Sequence, residues 1–103
     1  MSDALEQEFH QAMLEICRVA KTEIRYNPSR FVQMIADHGG LGAARQLLHA
    51  STVSEGFTKL WEAKRLDLTV EKHVLDPRFA PLFTDAELRI AQRRLDEYGY
   101  RRD

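Results

Sequence analysis

Residues 83–100 read FTDAELRIAQRRLDEYGY, and this stretch decides the fold class. Thr84 precedes Glu87 by three residues, the spacing of a capping box. In that arrangement the hydroxyl accepts from the helix's third amide and the carboxylate accepts from the cap's own amide. Phe83 and Leu88 flank the cap at the positions of a hydrophobic staple. Leu88, Ala91, Leu95 and Tyr98 then recur at helical spacing, with Ile90 beside them. Gly99 fits the left-handed stop, and Tyr100 is placed to fold back on Leu95 as in a Schellman motif. Start, period and stop all specify one helix.

The same punctuation extends upstream. Leu5, Phe9, Met13, Ile16, Ala20 and Ile24 form one stripe, predicting a long first helix over residues 3–25. Asn27 is expected to cap a second helix with Pro28 at its first position, and Tyr26 and Phe31 are spaced for a staple. That helix is expected to stop at Gly39-Gly40, with a short one following over 41–50. Thr52-x-x-Glu55 predicts another capped helix, burying Val53, Phe57, Leu60 and Trp61. Asp67 or Thr69 opens a shorter one carrying Val70, Val74 and Leu75, which Asp76-Pro77 ends. Phe79-Ala80-Pro81-Leu82-Phe83 is then an apolar connector lying across the core. No stretch alternates as a strand would.

These readings predict an all-α fold. It is a compact orthogonal bundle of five to six helices in one domain over 1–103, with the long N-terminal helix packed against the C-terminal helix.

The chain has 103 residues, 15 basic and 16 acidic, for a net charge of −1. Residues 26–66 carry five basic and three acidic residues, a slight excess only. Binding through phosphate neutralisation calls for a clearer one. Cys17 is the only cysteine, so no internal disulfide forms and a reducing compartment is expected. The opening Met1-Ser2-Asp3-Ala4-Leu5-Glu6 lacks the basic and apolar regions of a secretory signal. No apolar run reaches the roughly 20 residues of a membrane span. The cytosol is the predicted compartment, with no membrane contact.

Few side chains point to chemistry. His10, His38, His49 and His73 show no pair at the spacing that lets two imidazoles share a metal on a helix. Cys17 lies in the first helix's stripe, where a packed thiol is expected. Gly39-Gly40-Leu41-Gly42 follows a helix, not a strand, and lacks the Lys-Ser/Thr of a phosphate loop. It reads as a helix stop. Glu55, Asp85 and Glu87 lie in first turns, where the helix dipole favours them. No catalytic residue, cofactor or metal is predicted, and the chain is read as no enzyme.

Two segments carry candidate contact residues. Residues 31–65 superficially match a helix-turn-helix, with 52–65 as recognition helix. Ser54, Thr58, Lys59, Glu62 and Arg65 would then face a nucleic acid. On the last helix Arg89, Arg93 and Arg94, with Tyr98 or Tyr100 as anchor, could form a protein-binding edge.

The motifs GFTKLWE (56–62), RLDLT (65–69), LFT (82–84) and YGY (98–100), with YNPSRFVQMIADHGGLGAARQLL upstream, resemble a small bacterial all-helical domain family with no assigned function. The likeness covers most of the chain. It implies a module found alone or appended to longer bacterial proteins, some of them nuclease-like, and it brings no catalytic residues. The expected function is a non-enzymatic bacterial accessory or protein-interaction module, with an unknown protein partner or a second copy of itself. The alternative is nucleic-acid binding through residues 52–65. The candidate contacts are Thr58, Lys59, Glu62, Arg65, Arg89, Arg93 and Tyr100.

Overall fold

The computed structural model describes residues 2–100, which form five α-helices and two short 3₁₀ segments with no strand among them. Helix α1 spans Ser2–Glu23, and Phe9, Met13, Ile16 and Ala20 of its stripe are buried. Helix α2 spans Ser29–His49, bent at Gly39 (φ 77°, ψ 167°). The helix break expected at Gly39-Gly40 is therefore present, as a kink at which two helical arms meet without an intervening loop. Breaking the ladder there frees the Gly40 amide, which donates to His10 Nδ1 of α1 at 2.9 Å.

Two caps differ from expectation. Asn27 does not cap α2 with its side chain; Pro28 occupies the cap position, with no side-chain cap bond, and Asn27 offers only its carbonyl to the Ser29 amide at 2.8 Å. One residue further upstream, its side chain is out of register with the first-turn amides. Helix α3 is Glu55–Glu62, capped by Ser54 rather than Thr52; Ser54 Oγ accepts from the Phe57 amide at 3.1 Å. With Ser54 as the cap, the third helical position is Phe57 and Glu55 is the first, so Glu55 is no box partner; its carboxylate accepts from the Tyr26 hydroxyl at 2.9 Å. The helix closes as a Schellman motif, Arg65 N–H donating to Leu60 O at 2.7 Å, with Lys64 at φ 61° where glycine is usual.

A 3₁₀ turn, Leu66–Leu68, leads to the short α4, Val70–Val74, whose cap Thr69 accepts from the Lys72 amide at 3.2 Å. The connector contains a second 3₁₀ turn, Ala80–Leu82, and Phe79, Leu82 and Phe83 are buried as predicted. Helix α5 is Asp85–Glu97 with the full Thr84/Glu87 capping box. Its C-terminus is the expected Schellman motif: Gly99 has φ 80°, and Tyr100 N–H donates to Leu95 O at 2.9 Å.

The main core joins α1, α2, α4, the connector and α5. Phe9 lies at its centre, edge-to-face with Phe79 at 5.1 Å and Phe83 at 5.4 Å. A smaller cluster of Phe57, Leu66 and Leu95 ties α3 to α5. The expected pairing of first and last helix gives way to a different one. The principal partner of α1 is α2, and α5 packs chiefly on α4 and then on α2. The Gly40 amide bond to His10 joins the two longest helices.

Trp61 also departs from the reading. It is 44 % exposed, while Phe57 and Leu60 are buried. The eight-residue α3 rests mainly on the Leu66–Leu68 turn, so only part of its circumference is covered. No helix is long and apolar enough to cross a membrane among the described residues.

Candidate functional site

Two surfaces stand out: an aromatic face where α3 meets the end of α5, and a cleft between α1, α2 and α3. The aromatic face is built on Tyr98, the residue at the C-cap of α5. Its ring receives Phe57 from the core side at 4.9 Å and Trp61 from the solvent side at 5.3 Å, both edge-to-face. Such pairs contribute about 0.5–1.5 kcal/mol beyond burial. The indole is thus held in place although nearly half of it is open.

The predicted contact residues divide around this face. Lys59 and Glu62 are exposed on α3, their charged groups 4.0 Å apart. Thr58 is half-buried, its hydroxyl donating to Ser54 O at 3.4 Å. Arg65 is drawn away from α3's outer surface, to Glu23 at 2.7 Å and Asp67 at 3.2 Å. Arg93 is exposed and lines a groove with Thr52, Val53 and Tyr98. Arg89, one turn earlier, is exposed too. Tyr100 is half-buried against the Phe57–Leu66–Leu95 cluster, so much of its ring belongs to the fold. Arg94 is buried rather than part of an edge.

Arg94 closes the C-terminus of α2. It donates to Leu47 O at 2.9 Å, to Ala50 O at 2.7 Å and to Glu71 Oε2 at 3.0 Å. A cation there satisfies the orphan carbonyls and opposes the helix dipole. Burial pushes the Glu71 carboxyl above its ordinary value, outweighing the bonds from its own amide and from Arg94. The pair was missed because Glu71 and Arg94 each look like ordinary surface charges on short helices.

The cleft encloses about 580 Å³. Ile16, Phe31, Met34, Leu47, Phe57 and Leu60 supply its apolar wall, with Arg30 at the start of α2 and Glu71 also lining it. No sequence signal announces it. The stripes of α1, α2 and α3 read as core, and residues of all three line the cleft.

Cys17 is buried, and burial pushes its thiol up. Among the described residues, no group of three or more His, Cys, Asp or Glu could hold a metal ion. No family model matches the chain, and the comparisons with curated proteins and with solved structures likewise give no match, so the resemblance carried by GFTKLWE, RLDLT, LFT and YGY assigns no site here.

Proposed function

We propose that the protein is a non-enzymatic interaction module that docks another protein chain on its Trp61–Tyr98 face. The observation that carries this reading is the 44 % exposure of Trp61 combined with its edge-to-face seat on Tyr98. Trp, Tyr and Arg are the residues that most often dominate interface energies. An anchor already fixed in the free protein loses little side-chain freedom on binding. Lys59, Glu62 and Arg93 supply charged neighbours of both signs, suited to a polar rim.

The nucleic-acid alternative rests on Lys59 and Arg65. Arg65 is bound to two carboxylates and Lys59 lies near a third, so a phosphate would have to displace these partners. That favours the protein-docking reading.

Immobilised wild type and Trp61→Ala, matched by circular dichroism, test the proposal against lysate of the source cell. Light scattering adds the second-copy arm. A partner held by the wild type and weakened at least about tenfold by Trp61→Ala supports it. Equal retention by both overturns it. A low-salt gel shift that disappears in the Lys59→Ala/Arg65→Ala double variant would move the function to nucleic acid.

A further inference from the structure

The cleft between α1, α2 and α3 lies apart from the docking face, and Trp61 takes no part in its lining. Its volume, about 580 Å³, falls within the range of small-molecule sites. Three helices supply its apolar wall. Ile16, Phe57 and Leu60 are buried, while Phe31, Met34 and Leu47 are half-buried. The apolar surface therefore grades from the core out toward solvent.

The polar groups of the cleft are already engaged within the protein. Buried Glu71 accepts from Arg94 at 3.0 Å, and Arg94 is further occupied by the Leu47 and Ala50 carbonyls. Ser54 Oγ accepts from the Phe57 amide at 3.1 Å, and the Tyr26 hydroxyl donates to Glu55 at 2.9 Å. Among the described residues, no buried side-chain nitrogen or oxygen lacks a hydrogen-bond partner. A polar ligand group drawn inward would lose its water and find nothing to replace it, and a charged group would lose most. The exposed charges of the lining are Arg30 and Glu55, one of each sign. The outer part of the cleft thus selects neither anions nor cations.

We propose that the cleft binds an uncharged, hydrocarbon-rich small molecule, its apolar part among Ile16, Met34, Leu47 and Phe57 and its single polar group left in water. Burial of the hydrocarbon supplies the affinity. Selectivity comes from what the wall withholds: a neutral molecule gives up little hydration on entry, whereas an ion of either sign gains no partner for the water it sheds.

Titration of the full chain with hexanol, octanol, octanoate and octylammonium tests this, followed by the Met34 and Met13 methyl resonances. Met34 lines the cleft, whereas Met13 is sealed in the core. Octanol is expected to bind saturably and to shift Met34 more than Met13. It is expected to bind about fifteenfold more tightly than hexanol, the factor for two further buried CH₂ groups. Octanoate and octylammonium are expected to bind more weakly than octanol, and within about threefold of each other. No saturable octanol binding, binding without a Met34 shift, or equal affinity for hexanol and octanol would each overturn the proposal. So would an ion that matches octanol, or a preference of about tenfold between the two ions. The Trp61→Ala variant should bind octanol as the wild type does, which separates this site from the docking face.

Discussion

At Gly40 the absence of a side chain sets how closely α1 and α2 approach. A Cβ built there would lie 2.6 Å from His10 Cα, a backbone atom with nowhere to retreat. The same residue's amide donates to His10 Nδ1 at 2.9 Å, so that ring nitrogen must be unprotonated to accept. Gly40→Ala should therefore force the two longest helices apart and strain this bond. We expect a destabilisation of about 2–4 kcal/mol from overpacking plus a weakened, partly buried bond. Urea unfolding checks it. Gly39→Ala tests a separate cause: its φ of 77° is the difficulty, while a Cβ there meets nothing within 4 Å. The glycine pair is conspicuous in the sequence, but its division of labour is not. That division depends on which residue faces His10, thirty positions earlier.

Helix α3 is the element whose ends the sequence misjudged. Thr52-x-x-Glu55 is a sound capping signature, yet Ser54 two residues on is an equally good cap and is the one used, while Glu55 bonds to Tyr26 instead. Its C-terminus lacks glycine altogether, with Lys64 held at φ 61°. The left-handed conformation costs an L-residue roughly 1–2 kcal/mol. Lys64→Gly should accordingly stabilise the protein by about 0.5–1 kcal/mol after the added freedom of the unfolded glycine is offset. Gly56 offers the complementary change. It lies inside the helix, and an added Cβ would make ordinary contact with Ser54 Oγ at 3.8 Å and Tyr26 Cε2 at 3.9 Å. Gly56→Ala should stabilise by about 0.5–1 kcal/mol through helix propensity. Thermal melts of the two single variants check both signs. A destabilising result from Gly56→Ala would mean that the Tyr26 side of α3 is packed more tightly than the contact distances imply.

At the scale of the whole molecule, Glu87 links the start of α5 to the end of α2. Its Oε1 accepts from the Thr84 amide at 2.9 Å, and Oε2 meets His49 at 2.8 Å and Arg45 at 3.6 Å on α2. Burial opposes its ionisation, but the Thr84 amide, His49 and Arg45 together outweigh burial and hold it below its ordinary value. A carboxyl depressed in the folded state stabilises above its unfolded value, near 4.5, and loses that contribution as pH falls through the folded value. Glu71 acts in the opposite direction: its raised carboxyl makes the ionised form a burden that acid relieves. Glu87→Gln should thus cost about 1–2 kcal/mol near pH 7. The wild-type and variant melting curves should converge once the pH has fallen below the depressed folded value of Glu87, where both side chains are neutral. An undiminished gap at low pH would mean that the loss comes from geometry and not from charge.

The sequence by itself determined the helical class, the Thr84 capping box, the Gly99 stop, the buried connector and the stripe of α1. Each is specified by residues within a few positions of one another, through backbone bonding and the helical period. Tertiary structure alone decided the pairing of α1 with α2, the contact of Gly40 with His10, the burial of Arg94 against Glu71, the open indole of Trp61 and the cleft beside Arg30. These depend on contacts between residues tens of positions apart. A local pattern states which face of a helix is apolar, but not which neighbour covers it or how completely.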